Sequence, residues 1–160
     1  MAAGIPVVGW SSLDYYWTAR TADGAAGDLA RIVDHYASTW RAERVLIVGY
    51  SFGADVAPFL VGRLPAAMRA RVSEVALLSP SDNATFEFHF SDWLVGRAAP
   101  SNPTLPAIAK LQVPVTCIFA EDESDSVCRK VNASNVRAVP IGSGHHFGGE
   151  YGRIVETILR

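Results

Sequence analysis

The sequence predicts an α/β fold in which a mostly parallel β-sheet is flanked by helices. Short apolar runs of strand length alternate along the chain with segments whose apolar residues recur at helical spacing, which is the pattern of consecutive βαβ units. The chain has 160 residues, of which 49% are hydrophobic, and this suffices to bury the core of one domain. We therefore expect residues 1–160 to form a single domain.

The apolar runs of strand length predict five strands, and the segments with helical spacing predict three helices. The strands, each a short run rich in β-branched or other apolar residues, are predicted at 5–10, 45–49, 75–79, 113–120 and 136–141. The helices are predicted at 23–40, 52–63 and 151–159. We expect Asp23 to cap the first helix and Pro58 to bend the early turns of the second.

The connection between the third and fourth strands, residues 80–111, is long, and connections of this length are usually functional. It contains the alternating stretch Phe86-Glu-Phe-His-Phe90. We favour an extra edge strand whose phenylalanines pack on the body of the domain. The alternative is a lid or a wall for an acyl chain.

Composition excludes several classes of function. The chain carries 14 Lys and Arg residues against 16 Asp and Glu residues. The basic residues are scattered, so no nucleic-acid partner is expected. The apolar runs are too short to cross a bilayer, and the first residues lack the features of a signal peptide. Cys117 and Cys128 lack the further ligands that a metal site needs, so no metal is expected. No cofactor is expected either. These cysteines either form a disulfide in an oxidising compartment or remain free thiols.

The segment Gly49-Tyr50-Ser51-Phe52-Gly53 carries the strongest chemical signal. It fits Gly-x-Ser-x-Gly between a buried strand and a helix, which is the context of the nucleophile elbow in α/β-hydrolases. Such a turn lifts the serine hydroxyl clear of the sheet, and the Phe52 N–H at the helix N-terminus becomes an oxyanion donor. The motif therefore predicts a serine hydrolase with Ser51 as its nucleophile.

A base and an acid follow in the chain order that this fold requires. His145 lies in a glycine-rich loop after the last predicted strand and is our choice of base, with His146 as the close alternative. The acid comes from the turn after the strand at 113–120, where Asp125 leads and Glu123 and Asp122 stay open. Tyr50 and His146 are the expected substrate-binding residues. The two remaining histidines read as ordinary polar or interface residues: His35 and His89.

Three segments of the chain resemble the VirJ/AcvB family of bacterial virulence-associated proteins. They are Gly-Tyr-Ser-Phe-Gly-Ala-Asp-Val at 49–56, the Cys-bracketed acidic loop at 117–128 and Gly-His-His-Phe-Gly-Gly-Glu-Tyr at 144–151. The segment at 7–17 looks like that family too. The resemblance implies an α/β-hydrolase domain exported to the periplasm. It also implies hydrolysis of aminoacyl esters of phosphatidylglycerol, such as lysyl- or alanyl-phosphatidylglycerol, at a membrane surface. The positions matching the family's triad are Ser51, Asp125 and His145.

The sequence departs from the family at its start, where members carry a further strand and a glycine-rich loop. That strand belongs between the runs at 5–10 and 45–49, and its loop supplies the second oxyanion N–H, so the sequence is expected to lack N-terminal strands of the fold. The rival functions are a non-catalytic binding module for secretion proteins and a general esterase or thioesterase. Acidic residues proposed to attract the substrate's amino group are Asp82, Asp92, Glu121 and Glu150.

Overall fold

The computed structural model describes residues 4–87 and 102–160. Its centre is a four-stranded parallel sheet in the order β1-β2-β5-β6. The strands of this sheet are β1 Val45–Tyr50, β2 Val72–Leu78, β5 Val115–Phe119 and β6 Val136–Pro140. Two short antiparallel strands, β3 Asn83–Ala84 and β4 Asn102–Pro103, form a separate ribbon. The parallel connections place the carboxyl ends of all four main strands at one edge.

Helices flank this sheet in the described residues. They are α1 Ser12–Tyr15, α2 Ala22–Trp40, α3 Phe52–Gly62, α4 Ala66–Arg69, α5 Thr104–Ala109, α6 Val127–Lys130 and α7 Tyr151–Ile158. A 3₁₀ turn at Phe147–Gly149 precedes the last helix. Within the described ranges, none of these helices has the length and apolar character needed to span a membrane.

Two groups of buried side chains hold helices to the sheet. The larger group joins α2 and α3 to β2 and β5, with Leu29, Val61 and Val75 among its members. The smaller group includes Phe147 and Ile154, which pack against residues of β2 and β5 such as Leu78 and Ile118. The two central strands, β2 and β5, are therefore covered on both faces, as expected for a parallel sheet, whereas the edge strands β1 and β6 are partly exposed.

The α/β fold class and most of its elements are confirmed. The strand predicted at 75–79 begins earlier, at Val72, while the strand predicted at 113–120 is shorter at both ends. The predicted helices at 23–40, 52–63 and 151–159 agree to within one residue at each end. Pro58 lies inside α3, which continues beyond it to Gly62.

Two predictions are wrong. Residues 5–10 form no strand: this segment is irregular, and Ile5 and Val7 are exposed. A strand needs a neighbour to pair with, and no strand in the described part of the chain pairs with the outer edge of β1. The helix cap is also different. The Thr21 side chain accepts from the Gly24 N–H at 3.0 Å and caps α2, whereas Asp23 lies in the first turn.

The structure describes the long connection at 80–111 only at its two ends. Phe86 packs edge-on against Tyr16 and Phe59, with ring centroids 6.0 and 5.7 Å apart. This agrees with the prediction that phenylalanines of this segment pack on the body. Phe86 and Glu87 form a bend, so the predicted edge strand does not begin there. The rest of that prediction, with Phe88 and Phe90, and the interpretations of His89 and Asp92 lie outside the described residues.

Candidate active site

Ser51 stands on a sharp turn between β1 and α3. It occupies the N-cap position of α3 with φ 53° and ψ −122°, a left-handed conformation that is strained for a residue with a side chain. The Ser51 N–H donates to the Leu78 carbonyl at 2.9 Å, and the Ser51 carbonyl accepts from the N–H groups of Ala54 and Asp55. These hydrogen bonds hold the turn to the neighbouring strand and to the helix, and they stabilise the strained backbone conformation of Ser51.

The two glycines of the motif differ in their steric requirement. A Cβ at Gly49 would lie 2.6 Å from the Gly53 carbonyl oxygen and 2.8 Å from the Ala54 Cα, so only glycine lets β1 and α3 approach this closely. A Cβ at Gly53 would meet nothing closer than the Ser12 Oγ, at 3.8 Å. The expectation that both small residues avoid a clash therefore holds for Gly49 only.

A glycine-rich loop carries His145 back to this turn. Gly142 adopts φ 59°, and a Cβ there would lie 2.0 Å from the Phe147 carbonyl oxygen. Phe147 is 1% exposed and anchors the loop in the smaller core group. The Glu121 N–H donates to the Gly142 carbonyl at 2.9 Å, which joins the histidine loop to the acidic loop after β5.

The structure brings together Ser51 and His145. Their Oγ and Nε2 atoms lie 2.9 Å apart, although the residues are 94 positions apart in sequence. This is the distance at which an imidazole accepts a hydroxyl proton. His146, the alternative base, points instead to Tyr50, whose hydroxyl lies 3.0 Å from the His146 Nδ1.

Tyr50 contacts the histidine loop. Its hydroxyl donates to the His145 carbonyl at 3.0 Å, and the Tyr50 and His145 rings lie 5.2 Å apart. Burial, and to a lesser extent the nearby Tyr151, raises the pKa of Tyr50, so the phenol keeps its proton and remains a donor. This arrangement holds His145 in place, a role that the sequence prediction of a substrate contact for Tyr50 did not include.

The three candidate acids lie together beside His145 but do different things. The Asp122 Oδ1 accepts from the Gly144 N–H at 2.9 Å, and the Glu123 Oε2 accepts from the Ala120 N–H at 3.1 Å. Asp125 is exposed and lies on the wall of the cleft next to His145. Among the described residues, no carboxylate is hydrogen-bonded to the His145 ring.

The acidic loop is braced on both sides. Cys117 of β5 and Cys128 of α6 form a disulfide with Cα atoms 5.5 Å apart, the first of the two alternatives for these cysteines. Arg129 donates to the carbonyls of Glu123 and Glu121 at 3.0 and 3.2 Å. The loop that carries the candidate acids is thereby closed at both ends and held along its length.

An open cleft of about 470 Å³ lies beside His145, between segment 79–82 and the acidic loop. This is within the size range of small-molecule sites. Its wall includes Ser79, which has φ 48° and a buried hydroxyl without a hydrogen-bond partner in the described structure. Lys130 lies 3.3 Å from Asp82, so that carboxylate is paired rather than free to attract a cation.

Sequence reasoning missed Asp55, which lies one helical turn beyond Ser51. It is 8% exposed, and its Oδ1 accepts from the Ser81 N–H at 2.6 Å. The Ser81 carbonyl in turn accepts from the Thr104 hydroxyl. Burial raises the pKa of Asp55 to about 6. Asp55 therefore anchors the cleft wall at 79–82, and its only sequence signal was a carboxylate four residues after the motif serine.

Solved structures similar to this chain identify its fold. Rv0554 from Mycobacterium tuberculosis has a TM-score of 0.59 at 17% identity, over 90% of this chain and 72% of that one. The putative non-heme bromoperoxidase BpoC from M. tuberculosis H37Rv has a TM-score of 0.58 at 16% identity, over 88% and 72%. The thioesterase domain from the curacin biosynthetic pathway has a TM-score of 0.53 at 13% identity, over 84% and 73%. The chain has the α/β-hydrolase fold.

The family is established by the sequence itself. The model of the bacterial virulence protein (VirJ) family matches residues 1–160, the whole chain, so the chain belongs to that family. No curated protein matches the sequence. The resemblance seen in the three sequence segments is thus confirmed at the level of the VirJ family.

Proposed function

We propose that this protein is a serine hydrolase that cleaves carboxyl esters with Ser51 as nucleophile and His145 as general base. The observation that carries the proposal is the 2.9 Å separation between the Ser51 Oγ and the His145 Nε2. A serine hydroxyl is a weak nucleophile until a base takes its proton, and these two atoms are within reach for that transfer. The Phe52 N–H, at the N-terminus of α3, donates to the oxyanion.

The acid that orients His145 comes from the loop after β5. Asp125 is our first choice because it lines the cleft beside His145 and its carboxylate is not engaged with the backbone of the described residues. Asp122 and Glu123 each already accept a backbone N–H. Rotation of the Asp125 side chain toward the His145 ring on substrate binding completes a Ser-Asp-His triad, since catalytic hydrogen bonds often tighten only in the complex.

The substrate we propose is an aminoacyl ester of phosphatidylglycerol, such as the lysyl or alanyl ester, met at the periplasmic membrane surface. Family membership supports this proposal, because the chain matches a bacterial virulence family over its whole length. The disulfide is consistent with an oxidising compartment such as the periplasm. In the reaction, Ser51 takes the aminoacyl group and releases phosphatidylglycerol, and water then frees the amino acid with His145 again as base.

The test is hydrolysis of lysyl-phosphatidylglycerol in mixed micelles by the full chain, compared with a short acyl ester and an acyl thioester. We expect release of lysine that falls to background in Ser51→Ala, with Asp125→Asn far more damaging than Asp122→Asn or Glu123→Gln. Cleavage of the short ester or the thioester alone would overturn the lipid substrate and leave a general esterase or thioesterase. If a folded chain cleaves none of the three substrates, the proposal that this protein is an enzyme is overturned.

A further inference from the structure

The proposed reaction determines where the alcohol part of the ester lies. His145 takes the proton of Ser51 and then returns it to the departing alcohol oxygen. Because the His145 Nε2 lies 2.9 Å from the Ser51 Oγ, the alcohol oxygen has to approach the same ring. The rest of the alcohol therefore extends along the His145 side of the site.

The cleft of about 470 Å³ lies on this side, and His145 is one of its lining residues. Resting on the proposed function, we propose that this cleft binds the alcohol part of the ester, that this alcohol carries free hydroxyl groups, and that Asp55 positions the cleft wall at 79–82. In the phosphatidylglycerol esters proposed above, the departing alcohol contains a glycerol unit with one free hydroxyl.

The lining of the cleft is polar. Serine and carboxylate side chains make up most of it, and Pro80 and Val127 are its apolar members. An alkyl group in the cleft would displace water from these polar groups without replacing the hydrogen bonds, which is unfavourable. A hydroxyl group both donates and accepts, so a polyhydroxy alcohol matches this lining.

One polar group on the wall lacks a hydrogen-bond partner in the described structure. The Ser79 hydroxyl is buried and unpaired, and the residue has φ 48°. Ser79 directly follows Leu78, whose carbonyl accepts from the Ser51 N–H at 2.9 Å, so it lies close to the nucleophile turn. A buried hydroxyl without a partner destabilises the folded chain. A hydroxyl of the bound alcohol would supply the missing hydrogen bond.

Asp55 holds the wall from inside the domain. Its Oδ1 accepts from the Ser81 N–H at 2.6 Å, and the residue is only 8% exposed. The Asp55 N–H donates to the Ser51 carbonyl at 3.1 Å, so Asp55 connects the nucleophile turn to segment 79–82. Asp55 is a positioning residue, because it acts on the alcohol only through the wall that it holds.

The experiment compares the glyceryl and propyl esters of one acid, lysine or butyric acid, according to which the unmodified chain cleaves. Both departing alcohols have three carbon atoms, and they differ only in their hydroxyl groups. After correction for the rates of hydrolysis by hydroxide, we expect kcat/KM to be about tenfold higher for the glyceryl ester, because each hydrogen bond contributes modestly to binding. Equal corrected values for the two esters would overturn the subsite.

Variants of α3 test the role of Asp55. Asp55→Ala removes the acceptor of the Ser81 N–H, so we expect most of the preference to be lost through a higher KM for the glyceryl ester. Asp55→Asn keeps an oxygen acceptor and should retain most of the preference. Val61→Ala, the matched control, removes a fully buried side chain from the same helix and should retain all of it.

The inference about Asp55 is overturned if Asp55→Ala keeps the preference or if Val61→Ala loses it to the same extent. It is also overturned if Asp55→Ala loses activity equally on both esters, since that result indicates a disturbed turn at Ser51. If Asp55→Ala does not fold, Ser79→Ala replaces it, and an undiminished preference in that variant overturns the inference. A folded unmodified chain that cleaves no ester would instead overturn the proposed function.

Discussion

At the scale of the residue, the candidate site depends on backbone positions that only certain side chains tolerate. Ser51 keeps a left-handed conformation because Leu78, Ala54 and Asp55 hold its backbone. Gly49 must lack a side chain because α3 crosses directly over it. The geometry of the turn at Ser51 therefore follows from local packing and can be tested without any substrate.

The pair Gly49→Ala and Gly53→Ala tests this packing. The new methyl group at position 49 would lie under 3.0 Å from backbone atoms of α3, which cannot move away, so we expect a loss of about 1–3 kcal/mol in the free energy of unfolding. The methyl at position 53 meets ordinary contacts, and alanine favours a helix, so that variant should be no less stable. Urea denaturation measures both, and equal stability of the two variants would contradict the packing argument.

Asp55 gives the stability a predictable dependence on pH. Its pKa in the folded chain is about 6, against about 3.9 for an unfolded aspartate. The folded state therefore binds more protons between these values, and stability rises as pH falls. Relative to Asp55→Asn, which cannot ionise, the unmodified chain should gain on the order of 2 kcal/mol between pH 7 and pH 4. Denaturation curves across that range measure the difference in the free energy of unfolding between the two chains. A difference that does not change with pH would show that burial does not raise the pKa of Asp55.

At the scale of the element, the acidic loop depends on its connection to β5 and α6. The disulfide closes a loop of 11 positions between two fully buried cysteines. Such a link limits the unfolded chain more than the folded one. It also ties the loop that carries Asp125 to β5.

The double variant Cys117→Ala/Cys128→Ala should lower the free energy of unfolding by about 3 kcal/mol. Part of any loss reflects the removed sulfur atoms, so the unmodified chain denatured with and without a reductant is the control. The oxidised chain should unfold at the higher urea concentration. Coincident curves with and without reductant would show that the bond contributes nothing to stability.

At the scale of the whole molecule, the main strands were predictable and the first segment was not. The run at 45–49 is recognisable because it is a continuous apolar stretch of strand length, although Val48 in it is half exposed. Residues 5–10 are also mostly apolar, yet Val7 is 74% exposed because a strand exists only where a neighbour pairs with it. Composition carries no information about that neighbour.

Two features of the candidate site follow from the sequence motif and from the order of residues along the chain. Ser51 follows from its turn and flanks, and the choice of His145 over His146 agrees with the 2.9 Å contact, although its catalytic role remains a proposal. The contact of Tyr50 with the histidine loop and the hydrogen bond of the buried Asp55 carboxylate both join segments that are distant in sequence. No spacing in the sequence encodes those contacts, so only the folded structure reveals them.

The most direct test of the central claim is covalent labelling of the folded full chain with a fluorophosphonate probe, followed by peptide mapping. We predict one adduct, on Ser51, that disappears in Ser51→Ala, forms far more slowly in His145→Ala and persists in His146→Ala. An adduct on another residue, or no adduct on a folded chain, would show that Ser51 is not an activated nucleophile. The second result would favour a protein-binding module with a hydrolase fold.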